Sequence, residues 1–105
     1  MTAMPESRTP RPFSMHWGDG QIVEEARFAG EHTQPAIQLL RFDSGPAAGT
    51  LTLRFCHFSP RGQFQRSPMM LADAEIDQLS EAVARTPEIQ RLLLRIAGTD
   101  ARRRR

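Results

Sequence analysis

Few residues in this chain have the side-chain chemistry of a soft metal ligand. They are Cys56, His16, His32 and His57. Cys56 and His57 are adjacent, so on a strand their side chains point to opposite faces and cannot grip one ion. The chain contains no Cys-x-x-Cys or His-x-x-x-His spacing, so no metal site is expected. A cysteine nucleophile needs a neighbouring histidine and a third group to orient it, and the sequence supplies no such set. Cys56 reads instead as a small, half-buried hydrophobe. Asp73, Asp77 and Glu81 recur at every fourth position, the pattern of a solvated helix stripe rather than of an acid–base pair. Gly18-Asp19-Gly20 is not continued into a phosphate-binding loop. No catalytic residue, cofactor or enzymatic activity is therefore expected.

Nucleic-acid binding is better supported by residue type. Single strands are held by aromatic rings on which bases stack and by arginines that follow the phosphates. Residues 54–66 supply both in Arg54, Phe58, Arg61, Phe64 and Arg66, with Gln63 and Gln65 as hydrogen-bonding groups. Two registers are open. If the turn introduces a bulge, Phe58 and Phe64 share the exposed face with Arg54 and Arg66. Without a bulge, Phe64 and Arg66 pair with His57 and Phe55 on the inner face. The competing explanation is that both rings are core and the arginines only solubilise. Arg102, Arg103, Arg104 and Arg105 form a terminal run able to neutralise phosphates without sequence preference.

The elements that must position these groups follow from hydropathic period. Residues 1–19, with Pro5, Pro10 and Pro12 and no repeating apolar spacing, read as a flexible arm. Phe13, Met15 and Trp17 alternate, so the end of the arm has the pattern of an extended segment, and Gly18-Asp19-Gly20 reads as a turn. Strands are expected over 22–28, 36–42, 50–58 and 63–71. The clearest is 50–58, with Leu51, Leu53, Phe55 and His57 on one face and Thr52, Arg54, Cys56 and Phe58 on the other. Ser59-Pro60-Arg61-Gly62 is a hairpin turn.

The period then becomes helical through Ala72, Ile76, Leu79 and Val83, with Asp73, Glu75 and Asp77 in the first turn. Thr86-Pro87 restarts a helix whose apolar side is Ile89, Leu92, Leu93 and Ile96, ending at Gly98. The expected class is α+β: a four-stranded antiparallel sheet followed by a C-terminal helix or broken helix pair, with one sheet face open. The expected organisation is a single domain over 20–98 and a basic tail over 99–105.

Composition narrows the setting. The chain has 105 residues with a formal charge of +2, and every one of its 14 basic residues is arginine. Removing the four terminal arginines takes that charge to −2, so the basic character belongs to the tail. No apolar run approaches the roughly 18–20 residues of a membrane helix. Residues 1–12 hold no signal-like stretch. The single cysteine suits a reducing compartment, so a cytoplasmic location is expected.

The text Leu53-Arg54-Phe55 to Phe58, Arg61-Gly62, then Met69-Met70-Leu71 running into Ala72–Leu79, resembles the transcriptional coactivator PC4 family of single-stranded DNA-binding proteins. The resemblance covers residues 50–84 and extends to the two preceding strands only in order and length. It implies a curved four-stranded sheet, a homodimer packed through the C-terminal helix, and single-stranded nucleic acid as partner. By position, Arg54, Arg61 and Arg66 would contact the backbone, and Phe58 or Phe64 would stack on a base. The chain departs from the family in having no lysine, in Pro68 where a glycine precedes the short strand, and in the second helix begun by Pro87. The expected function is a small, non-enzymatic nucleic-acid-binding protein that prefers single-stranded DNA or RNA, as a transcription-associated regulator. The alternative is a protein-interaction or self-association module using the open sheet face.

Overall fold

A computed structural model describes residues 8–99. Five strands, β1 (Arg11–Met15), β2 (Gly18–Arg27), β3 (Gln34–Phe42), β4 (Leu51–Phe58) and β5 (Met69–Ala72), are followed by helices α1 (Asp73–Val83) and α2 (Pro87–Ile96). The strands pair in chain order as an antiparallel meander. The α+β class with an antiparallel sheet before the helices is as expected. The chain divides into two compact units, the first ending at Asp73 and the second starting at Ala74, where a single domain was expected.

Strand alternation assigns the two faces. On β3, Gln34, Ala36, Gln38, Leu40 and Phe42 are all buried, while Pro35, Ile37 and Leu39 are half-buried. Their β4 partners continue each face: Leu40 opposes Thr52, Gln38 opposes Arg54, and Gln34 opposes Phe58. The apolar core is Ile22, Leu40 and Phe42, with Phe13, Met15, Ala47 and Met70 packed against it. The other face carries Ile37 opposite Phe55 and Leu39 opposite Leu53, all half-buried.

β2 breaks the alternation once. Ile22 pairs with Leu40 and Glu24 with Leu39, so Val23 is an extra residue in the ladder. This β-bulge resets the parity of the strand. Ile22 and Glu25, three residues apart, consequently share the buried face, and Arg27 follows them.

Several expectations are corrected. Arg11–Met15 is a fifth strand inside the expected arm. It is held there because Phe13 pairs with Gly20 and meets Phe42 edge-on at 5.1 Å. The turn lies at His16-Trp17, and Gly18-Asp19-Gly20 is strand. Gly20 is a strand glycine because a Cβ there would sit 1.9 Å from the Arg41 carbonyl oxygen. Residues 63–68 are not regular strand: only a Phe58–Phe64 bridge precedes β5, and Ser67 adopts φ 62° before Pro68. The second helix starts at Pro87, as the Thr86-Pro87 signal predicts.

Deletion of Val23 should leave both faces of β2 in place, because it removes only the extra residue. Deletion of Leu39, in a strand with no bulge, should throw half of β3 onto the wrong face. Far-UV circular dichroism with thermal melting checks this, and the expected result is a cooperative transition for the first variant and none for the second.

Candidate functional site

The buried face carries a continuous polar network in the middle of the sheet. Gln38, at 0% exposure, is its hub. Its Oε1 accepts from Arg54 Nε at 2.7 Å and from the Cys56 thiol at 3.4 Å, and its Nε2 donates to Glu25 Oε2 at 2.7 Å. The carboxylate of Glu25 takes two parallel bonds from Arg11, at 2.9 and 3.0 Å, and lies 3.6 Å from Arg27 Nη1. Arg27 donates through Nε and Nη2 to Gln34 Oε1, and Gln34 Nε2 donates to the Pro60 carbonyl. The fork-on-carboxylate pairing of Arg11 is the strong form of such a contact.

Aromatic rings line the same groups. The Arg27 guanidinium lies 3.6 Å from the centre of the Phe58 ring. Phe58 meets Phe64 at 5.5 Å, and Arg54 lies 4.7 Å from Phe64 and 5.9 Å from Phe13. Stacking on rings is a role that a planar, weakly hydrated guanidinium fills and an ammonium fills poorly.

The electrostatics follow from this packing. Burial by itself would raise the Glu25 carboxyl. The hydrogen bonds from Arg11 and Gln38, with the charges of Arg11 and Arg27, outweigh it and hold the group below its ordinary range. Burial pushes the Cys56 thiol up, and the nearby Arg54 only partly opposes this. A raised thiol is a poor nucleophile. Burial also lowers Arg54 below the ordinary guanidinium value.

The expected binding residues divide. Phe58 and Phe64 are bridge partners on the face of Arg54, which is the bulged alternative of the two registers. That face is the inner one, however. Arg54 and Phe58 are buried, so neither is presented as an open contact, whereas Arg61, Phe64 and Arg66 are exposed. The expected inner face is corrected too: His57 is exposed and Phe55 half-buried. The reason is that β4 follows the parity of β3, whose Ala36, Leu40 and Phe42 are core. Arg102, Arg103, Arg104 and Arg105 lie outside the described residues.

Sequence reasoning missed Arg11, Glu25, Arg27, Gln34 and Gln38. A usable signal was Gln34 and Gln38 on the same two-residue period as Ala36, Leu40 and Phe42. Polar side chains at core-facing positions require partners. Among the described residues no three His, Cys, Asp or Glu side chains gather as metal ligands would. No helix of the described chain is long and apolar enough to cross a membrane. No family model, curated protein or solved structure matches the chain. The likeness to the PC4 family rests on the residues quoted above.

Glu25→Gln should destabilise the fold by about 3–5 kcal/mol, because it leaves the surrounding guanidiniums without their counter-charge. A carboxyl held low in the folded state stabilises fully above its unfolded pKa, and that stability is lost as pH falls through the folded value. Denaturant melts across the acid range should show wild type losing stability below the ordinary carboxylate range. The variant should show a flatter acid limb.

Proposed function

We propose that the protein is a non-catalytic association module whose working form is a homodimer made through its C-terminal helices. The observation that carries this reading is the exposure of α2. Ile89, Leu92, Leu93, Leu94 and Ile96 are between 42% and 69% exposed, and neither helix contains a buried residue. Ile89, Leu92, Leu93 and Ile96 fall at i, i+3, i+4 and i+7, which puts them on one side. Helices of 11 and 10 residues are marginal in water without packing. Covering the exposed half of each such side chain contributes about 1 kcal/mol.

A second copy fits by charge. α1 bears Asp73, Glu75, Asp77 and Glu81 with no basic residue in its last turn, and α2 bears Arg91 and Arg95. A two-fold contact that faced α1 of one copy with α2 of the other would bring these acids toward Arg95 and toward Arg91, which Glu88 of its own helix meets at 3.2 Å. The free, half-buried thiol of Cys56 suits a reducing compartment, consistent with a cytoplasmic setting. Light scattering of the full chain should give twice the 11.9 kDa chain mass, and Leu93→Glu with Ile96→Glu should give the monomer. A wild-type monomer at tens of micromolar would overturn the reading.

A second reading, single-stranded nucleic-acid binding with a part in transcription, is favoured by Phe64. Its ring is 43% exposed, backed by Phe58 and Arg54, and flanked in the chain by the exposed Arg61 and Arg66. A ring fixed from behind and open in front is a stacking platform. In this version Arg54 and Phe58 hold the platform from beneath the ring. A labelled oligonucleotide should bind more weakly as salt rises, and Phe64→Ala should weaken it more than removal of Arg102 to Arg105. Loss on tail removal alone would rule the hairpin out.

A further inference from the structure

The buried face holds more positive charge than it neutralises. Arg11, Arg27 and Arg54 lie on it, and its carboxylate, Glu25, is in contact with Arg11 and Arg27. Counted over these four side chains alone, the face carries an excess of two positive charges. Arg54 is the least satisfied of the three. It is 8% exposed, yet its one strong acceptor is Gln38 Oε1, which takes the Nε hydrogen. Beyond that bond it has the faces of Phe13 and Phe64. It forms no ion pair with any carboxylate within the described chain. The two terminal amino groups of a guanidinium carry four N–H donors, and leaving such donors buried without an acceptor is costly.

We propose that this face binds a small phosphate-class oxoanion on the terminal Nη groups of Arg54, beneath the ring of Phe64. The guanidinium fork matches two oxygens of one phosphate. A phosphate near neutral pH carries a charge of about −1.5 to −2, which balances the excess. Phe64 is the least enclosed of the rings around Arg54. It stands outside the regular strands, on the segment between the positive-φ Gly62 and Ser67, and its ring is half-exposed. Phe13 and Phe58, by contrast, belong to β1 and β4. The inference is independent of the homodimer, since every group it uses lies in the sheet unit.

The experiment uses the full chain and inorganic phosphate, against sodium chloride at matched ionic strength. Phosphate should raise the melting temperature of wild type with increasing concentration, and Arg54→Met should abolish the rise. The terminal arginines attract phosphate equally in both proteins, so the difference reports Arg54. Without phosphate, Arg54→Met should melt no lower than wild type, because an under-paired buried charge has been removed. Should that variant fail to fold, the side-chain Nε–H resonance of Arg54 in wild type decides, and it should shift with phosphate and not with chloride. Adding a single-stranded oligonucleotide separates two sources of the anion. Displacement of bound phosphate assigns the site to a strand's backbone, persistence assigns it to a free anion, and both support the site. An equal melting rise in Arg54→Met, or an Nε–H resonance that phosphate leaves unmoved, overturns the proposal.

Discussion

The pairing of Glu25 with Arg11, Arg27 and Gln38 is the constraint on which the rest of the sheet depends. The Glu25 side chain is 0% exposed, and a carboxylate at that depth persists only where its lone pairs are filled. Arg11 fills them from β1, Arg27 from β2 itself and Gln38 from β3, so one side chain ties three neighbouring strands together. Gln38 is then oriented, because its amide nitrogen is committed to Glu25 and its oxygen must turn to Arg54 on β4. The order of the strands is thus reinforced by a directional chain as well as by the backbone ladder. A purely apolar face would reward many registers, whereas this chain of bonds fits one.

The dependence of this arrangement on one extra residue explains which parts of the fold were legible. The two-residue period of β3 and β4 and the switch to a helical period after Ala72 are local signals, and they place those elements within a few residues. Thr86-Pro87 is also local, and α2 starts where it says. The bulge at Val23 is not local: it exists because Glu25 and Arg27 are wanted on the face of Ile22, and those wants come from β1 and β3. Read with unbroken alternation, β2 groups Ile22 with Ala26 and Phe28 and hides the buried ion pairs. The face of β4 was misread for a related reason. Leu51, Leu53 and Phe55 outweigh Thr52 and Arg54 in hydropathy, but the inside was decided by pairing to Leu40, Gln38 and Gln34.

Arginine composition acquires a structural meaning from the same contacts. A chain without lysine is consistent with a bias in its coding sequence, and for the exposed Arg61 and Arg66 no more is required. The buried arginines differ. Arg11 uses two nitrogens in one plane on one carboxylate, and Arg27 bonds Gln34 along one edge while its flat face covers Phe58. Neither geometry is open to an ammonium, which would also be more strongly hydrated and costlier to enclose.

The distribution of polarity across the chain links these points to function. The buried face of the sheet carries Gln34, Gln38, Arg54 and the Glu25 side chain among Ile22, Ala36, Leu40, Phe42 and Phe58, while Ile37, Leu39, Leu53 and Phe55 lie half-covered on the opposite face. α2 likewise carries its leucines and isoleucines in the open. An isolated chain that folded only for its own stability would gain by the reverse placement, because apolar burial is the dominant favourable term and buried charge is at best weakly stabilising. A chain arranged this way has its core polar groups fixed for specificity and its aliphatic groups available for contact. Association through α2, as proposed above, would cover aliphatic side chains that the helix leaves exposed.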